Sequence, residues 1–115
     1  MGSTMKRGDI YFAALDTTQG SEVQKTRPVI IVSNDVANRA SSRVTVVPLT
    51  SNATRIFPFE VALNANQTGL RKDGKAMAQQ VRMLDKARLG LLRQGMVSSE
   101  KMTALDAALR LHLAL

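Results

Sequence analysis

Short runs of apolar and β-branched residues, separated by polar segments, occupy most of the chain and predict strands. Four such runs follow one another: Asp9–Leu15, Arg27–Ser33, Arg43–Thr50 and Phe57–Leu63. Within the third run, Pro48 is expected to mark a bend, a bulge or an edge, because proline has no N–H to donate to a strand ladder. The pattern therefore indicates a fold based on a sheet.

The remaining segments leave alternatives open. Asn34–Ser42 is a turn of helix or only a connection, and Asn64–Gly74 is expected to be a polar loop. Lys75–Leu84 alternates like a strand, although its Ala, Met and Gln residues favour a helix. Asp85–Arg93 is expected to form a short helix or a strand, with Gly90 as a break.

The C-terminal segment has the clearest helix signal. Ser98 is a suitable N-cap, and Glu100 complements the positive end of the helix dipole. Apolar side chains at helical spacing predict one face that packs on a sheet or on another subunit: Met102, Leu105, Ala108, Leu109 and Leu113. Several strands followed by a helix indicate an all-β or α+β domain built on a curled antiparallel sheet.

The length of 115 residues allows one domain. Residues 1–4 are small and polar and precede a second methionine, so we expect a vector-derived remnant there and a single domain over residues 5–115. No apolar run approaches the roughly 20 residues that span a bilayer. We therefore expect a cytoplasmic protein without a membrane partner.

Residue types that support common active sites are scarce in this sequence. There is no cysteine and a single histidine, His112, so thiolate nucleophiles and metal sites built from several imidazoles within one chain are excluded. No glycine-rich phosphate-binding loop is present. We predict no metal and no cofactor.

The charge balance favours a polyanionic partner. Sixteen Lys and Arg residues against nine Asp and Glu residues give a formal net charge of +7, which attracts nucleic acid or an acidic protein segment. Aromatic residues make up only 3% of the chain, too few for a surface that stacks successive bases on rings.

RNA cleavage is compatible with this limited chemistry, because the ribose 2′-hydroxyl supplies the nucleophile. A protein then needs to align the reacting atoms and to stabilise charge on the phosphorane, which Arg and Thr side chains can do. Arg27 precedes Pro28 at a strand start, while Thr50 and Ser51 end the third strand. Taken alone, Arg27 is better explained as a solvated cation at a strand end and Thr50 as a turn hydroxyl that satisfies its own backbone.

Four motifs in order along the chain resemble the MazF/PemK family of toxin endoribonucleases: Arg7–Glu22, Thr26–Asp35, Val46–Ser51 and Gln79–Gly90. The resemblance implies a small SH3-like barrel of curled antiparallel strands with a C-terminal helix, and a homodimer. It implies sequence-specific, metal-independent cleavage of single-stranded RNA that leaves a 2′,3′-cyclic phosphate and a 5′-hydroxyl. It also implies a cognate antitoxin, whose acidic or amphipathic tail would block the basic groove.

By the same resemblance, Arg27 is the main catalytic residue and Thr50 is its partner. The RNA groove would be lined by Thr18, Ser21, Glu22, Ser51, Gln79, Gln80 and Arg82. One branch of the family has His and Asp where this chain has Ser21 and Gln79, so the base of that branch is missing here. Many relatives also have Ser at the position of Gly74.

Two alternatives belong to other functional classes. One is a toxin of the same fold that binds DNA gyrase and cuts nothing; it would depend on the end of the C-terminal helix rather than on Arg27 and Thr50. The other is a non-catalytic RNA-binding module; the presence of Arg27 and Thr50 argues against it, whereas Gly74 and Gln79 argue for it.

Overall fold

The computed structural model describes residues 4–15 and 26–115. In this part of the chain seven strands and three α-helices follow in the order β1 (Asp9–Ala14), β2 (Thr26–Ile31), α1 (Asp35–Ala40), β3 (Arg43–Thr50), β4 (Glu60–Leu63), α2 (Ala65–Thr68), β5 (Gly74–Met77), β6 (Arg82–Asp85), β7 (Gly95–Met96) and α3 (Ser99–Leu113). Short 3₁₀ turns lie at Ala78–Gln80 and Lys86–Arg88.

The strands form one curled antiparallel sheet in the order β4-β5-β3-β2-β1-β7, and β6 also pairs with β3. Strand β3 pairs with β6 through Arg43–Val46 and with β5 through Leu49 and Thr50. Pro48 falls between these two ladders, where a missing N–H is tolerated. The predicted bend at Pro48 is thus the point at which β3 changes partner and the sheet curls.

Apolar side chains from alternate positions of the central strands fill both faces of the sheet. On one face, Ile10, Ile30 and Val47 belong to a cluster that α3 covers. On the other face, Tyr11 and Val29 belong to a second cluster closed by residues of β3, β6 and the segment after it. The mainly β, α+β architecture expected from the sequence is confirmed.

Helix α3 begins as predicted, since the Ser98 side chain accepts a hydrogen bond from the Lys101 N–H at 3.3 Å. Met102, Leu105 and Ala108 are buried against the sheet. Leu113, the last member of the predicted face, is 50% exposed. The apolar face therefore packs on the sheet along its first part and leaves the core at its end.

Two sequence predictions need correction. The fourth strand begins at Glu60 and not at Phe57, because the Glu60 N–H bonds to the Phe57 carbonyl and closes a turn over Pro58. The predicted loop Asn64–Gly74 contains helix α2, for which Asn64 and Gln67 form a capping box.

The structure also resolves the segments with open alternatives. Asn34–Ser42 contains helix α1, with Asn34 as its N-cap. Lys75–Leu84 comprises most of β5, a 3₁₀ turn and the start of β6, so the mixed propensity reflects a mixed structure. In Asp85–Arg93 only a 3₁₀ turn forms after β6. No helix within the described ranges is long and apolar enough to cross a membrane.

Candidate active site

Two adjacent strands bring together the two residues predicted to be catalytic. Val29 of β2 pairs with Pro48 of β3, and this antiparallel register, continued toward the strand ends, sets Arg27 opposite Thr50. On its other side, Thr50 pairs with Lys75 of β5. Three neighbouring strands thus present Arg27, Thr50 and Lys75 side by side at one end of the sheet.

Two grooves meet at Arg27 and Thr50, which line both of them. The cationic groove, of about 470 Å³, is lined by Leu15, Arg27, Pro48, Thr50, Asn52, Lys75, Met77, Gln80 and Arg82. The larger groove, of about 760 Å³, runs past Ser51 and the β4–β5 connection. Among the described residues no carboxylate lines the cationic groove, so its field favours a phosphate.

The polar groups of Arg27 and Thr50 remain available to a ligand. The Arg27 side chain is exposed, and within the described part of the chain it makes no hydrogen bond or ion pair. The Thr50 hydroxyl accepts from the Asn52 N–H at 3.2 Å, which is the turn contact expected of a strand-end threonine. That contact uses an acceptor position of the hydroxyl and leaves its proton free to be donated.

The other predicted groove residues fall into three groups. Gln80 and Arg82 are exposed and line the cationic groove, and Ser51 lines the larger groove. Gln79 lines neither groove; its amide donates to Glu60 Oε2 at 2.7 Å, while its Oε1 is buried without a partner in the described residues. Thr18, Ser21 and Glu22 lie outside the residues that the structure describes.

Lys75 and Glu60 were missed by the sequence reasoning. The Lys75 ammonium donates to Glu60 Oε1 at 2.8 Å and to the Arg55 carbonyl at 2.7 Å, and its side chain is only 11% exposed. The sequence offered only a weak signal, because Lys75 follows the polar stretch 71–74 and comes just before Ala76 and Met77. Its partner could not be read from the sequence, because β4 and β5 become neighbours only in the sheet.

The Glu60 carboxylate lies deeper than the ammonium, with a side-chain exposure of 2%. Burial raises the pKa of Glu60, but hydrogen bonds from Lys75, the Phe57 N–H and Gln79 outweigh that effect and hold the pKa below its ordinary value. Glu60 is therefore an anion in the folded protein at neutral pH. It fixes both the Lys75 ammonium and the Gln79 amide.

Gly74 permits a close approach of β5 to the end of β3. A Cβ atom at this position would lie 2.4 Å from the Thr50 carbonyl oxygen. The absence of a side chain at Gly74 therefore allows the backbone of Thr50 to lie against β5.

Comparison with known proteins places this chain in a family. A family model described as "PemK-like, MazF-like toxin of type II toxin-antitoxin system" matches residues 6–113. The chain is 46% identical to "Endoribonuclease MazF9" of Mycobacterium tuberculosis, over 96% of this chain and 98% of that protein. It is 36% identical to "Endoribonuclease EndoA" of Bacillus subtilis, over 96% of each.

Solved structures agree on the fold. An endoribonuclease from a Mycobacterial species, in complex with its cognate antitoxin, superimposes with a TM-score of 0.79 at 29% identity, over 96% of this chain and 95% of the other. MazF from Deinococcus radiodurans superimposes with a TM-score of 0.81 at 22% identity, over 98% and 99%. The chain belongs to the PemK-like, MazF-like toxin family of type II toxin-antitoxin systems.

Proposed function

We propose that this toxin is a sequence-specific endoribonuclease that cuts single-stranded RNA without a metal ion. The ribose 2′-hydroxyl attacks the adjacent phosphorus, and the products carry a 2′,3′-cyclic phosphate and a 5′-hydroxyl. The observation that carries the proposal is the convergence of Arg27 and Thr50 on a groove whose described lining includes three cations and no carboxylate. The names of the MazF9 and EndoA relatives agree with it.

Arg27 and Thr50 divide the chemistry between them. The guanidinium presents a planar fork of donors that matches two phosphate oxygens and stabilises the charge that develops on the phosphorane. Arginine side chains keep their positive charge in proteins, so the role we assign to Arg27 is charge stabilisation and not proton transfer. The Thr50 hydroxyl adds a further donor, since its acceptor side is held by Asn52.

RNA binding extends beyond the two catalytic residues. Gln80 and Arg82 line the same groove, and Ser51 lines the adjoining one, so they are suited to the nucleotides on either side of the cleaved bond. We assign Thr18, Ser21 and Glu22 to the RNA groove on the family resemblance. Gln79 is assigned in the same way, with its amide held by Glu60.

A homodimer is the proposed assembly. Three apolar side chains at the sheet edge are exposed: Leu91 (95%) and Leu92 (73%), which precede β7, and Met96 (55%), which belongs to it. Exposed apolar side chains at a sheet edge do not stabilise a monomer, whereas packing against a second copy of the chain would bury them. Sedimentation should therefore give twice the chain mass of 12.5 kDa.

An antitoxin with an acidic or amphipathic tail is the proposed inhibitor. The net charge of +7 and the cationic groove attract such a tail as well as RNA, and a similar structure holds an endoribonuclease with its cognate antitoxin. Because the substrate is RNA, we place the toxin in the cytoplasm.

Cleavage in excess EDTA tests the proposal. The purified protein is incubated with a long unstructured RNA, and both new ends are mapped. We expect cuts at one short sequence with cyclic-phosphate ends, lost in Arg27→Ala and Thr50→Ala. The matched controls Arg39→Ala and Thr103→Ala remove exposed side chains that line neither groove and should cut like the wild type.

Intact RNA in the presence of folded, antitoxin-free protein would refute the nuclease function. Inhibition of gyrase or plain RNA binding would then identify which alternative holds. If both variants still cut RNA, the protein is a nuclease but its catalytic residues are others.

A further inference from the structure

Lys75 occupies an unusual position in the cationic groove. It stands next to Thr50 across the β3–β5 ladder and is one of the groove's lining residues. We propose that Lys75 is a phosphate-binding residue that donates its remaining N–H to a non-bridging oxygen of the bound RNA, and that Glu60 is its positioning residue. This inference rests on the proposed function.

The hydrogen bonds of the ammonium leave one donor unused. A lysine ammonium has three N–H groups, of which one goes to Glu60 Oε1 and one to the Arg55 carbonyl. Within residues 4–15 and 26–115 no third hydrogen-bond acceptor is found, and the other recorded neighbour of the ammonium is the Phe57 ring, whose centre lies 5.7 Å from Nζ. With two bonds fixed at 2.7 and 2.8 Å, the direction of the third is set by the tetrahedral geometry of the nitrogen.

The depth of the two charges orients the pair. The Lys75 side chain retains 11% exposure, whereas that of Glu60 retains 2%. The positive end of the pair therefore lies toward the groove and the negative end toward the core. Glu60 also accepts from the Phe57 N–H at 3.0 Å and from Gln79, so it does not depend on the lysine for all of its bonds.

Stability alone is a poor reason to keep such a pair. The free energy lost when two charges are removed from water is about as large as the free energy gained from their attraction. Apolar residues of similar size often give the same stability. A held ammonium next to the reacting phosphate gains instead from preorganisation, because no side chain has to be ordered when RNA binds. A phosphate contact explains both the burial and the partial exposure.

Salt dependence separates this role from a structural one. Each phosphate contact to a single strand contributes about 0.7 to the slope of log affinity against log salt concentration. The ligand is an RNA oligonucleotide with the mapped cleavage sequence and a 2′-deoxyribose at the cleaved position, which cannot react. The test protein is the double variant Glu60→Gln/Lys75→Met, which removes both charges and so leaves no buried charge without its partner.

We expect the double variant to bind about tenfold more weakly at low salt and its slope to fall by about 0.7. Between about 50 and 200 mM NaCl its affinity should then decline about 2.6-fold less than that of the wild type. Glu60→Gln alone keeps the ammonium but weakens the hold on it, so this variant should bind RNA more weakly than the wild type while its slope stays the same; wild-type affinity would overturn the positioning role of Glu60. Lys86→Met is the matched control, because Lys86 also donates to a backbone carbonyl, that of Asn38, but lines neither groove.

An unchanged slope in a folded double variant would overturn the role of Lys75 while leaving the nuclease function intact. Wild-type protein that neither binds nor cuts RNA would instead overturn the proposed function. If the double variant does not fold, amine acetylation of the wild type tests the contact instead. The bound oligonucleotide should protect Lys75 from acetylation and should not protect Lys86. Equal labelling of Lys75 with and without the oligonucleotide would refute the contact.

Discussion

Gly74→Ala is expected to inactivate the enzyme by moving Thr50. The added Cβ would lie 2.4 Å from the Thr50 carbonyl oxygen, and ordinary van der Waals contact begins at 3.4 Å, so the two atoms must separate by about 1 Å. The obstacle is backbone, and both residues are held in ladders, Gly74 to Leu63 and Thr50 to Lys75. The separation therefore shifts the end of β3 itself.

A displacement of about 1 Å at a reacting group lowers the rate by about 100-fold, while overpacking costs about 1–3 kcal/mol of stability. The expected signature is a large loss in kcat with a small change in KM, measured on a short RNA with the mapped site. Thermal unfolding measured in parallel verifies that the variant is folded. Gly90→Ala is the control, since its Cβ would meet its nearest neighbour at 3.7 Å.

Wild-type kcat in a folded Gly74→Ala protein would refute this reasoning, because Thr50 would then tolerate the shift or take no part in catalysis. An equal loss of kcat in Gly90→Ala would point to a general loss of structure.

Three further predictions concern stability. The folded-state pKa of Glu60 lies below its ordinary value of 4.5, so the stability that this carboxylate contributes is present above that pH and is lost as the pH falls through the folded pKa. Urea unfolding between pH 3 and 7 should therefore show a steeper loss of stability toward acid pH in the wild type than in Glu60→Gln. Parallel curves for the two proteins would contradict this. Leu105→Ala should cost about 2–5 kcal/mol, because the side chain is 1% exposed beneath α3; a loss below about 1 kcal/mol in denaturant titration would mean that the helix does not pack as described. Asp106→Ala removes the ion pair between Asp106 and Arg7, and both of these side chains are about one-third exposed. The substitution should therefore lower the free energy of unfolding by less than about 1 kcal/mol. A loss comparable to that of Leu105→Ala would assign the pair a larger structural role.

The sequence determined the local features of this protein. Alternation of apolar residues located β1, β2 and β3, and helical spacing after Ser98 located α3, because these periodicities depend on only a few consecutive residues. The family motifs singled out Arg27 and Thr50 as the proposed catalytic pair. Local propensity predicted the wrong structure at Asn64–Gly74, because a capping box starts helix α2 within this polar stretch.

Tertiary structure decided which residues share the groove. Lys75 reaches Glu60 because β4 pairs with β5, and it stands beside Thr50 because β3 changes partner near Pro48. The orientation of Gln79 and the tight contact at Gly74 follow from the same strand order. A two-residue alternation fixes the face on which a side chain lies, whereas its neighbour across the sheet depends on strand order and register, which join residues far apart in the chain.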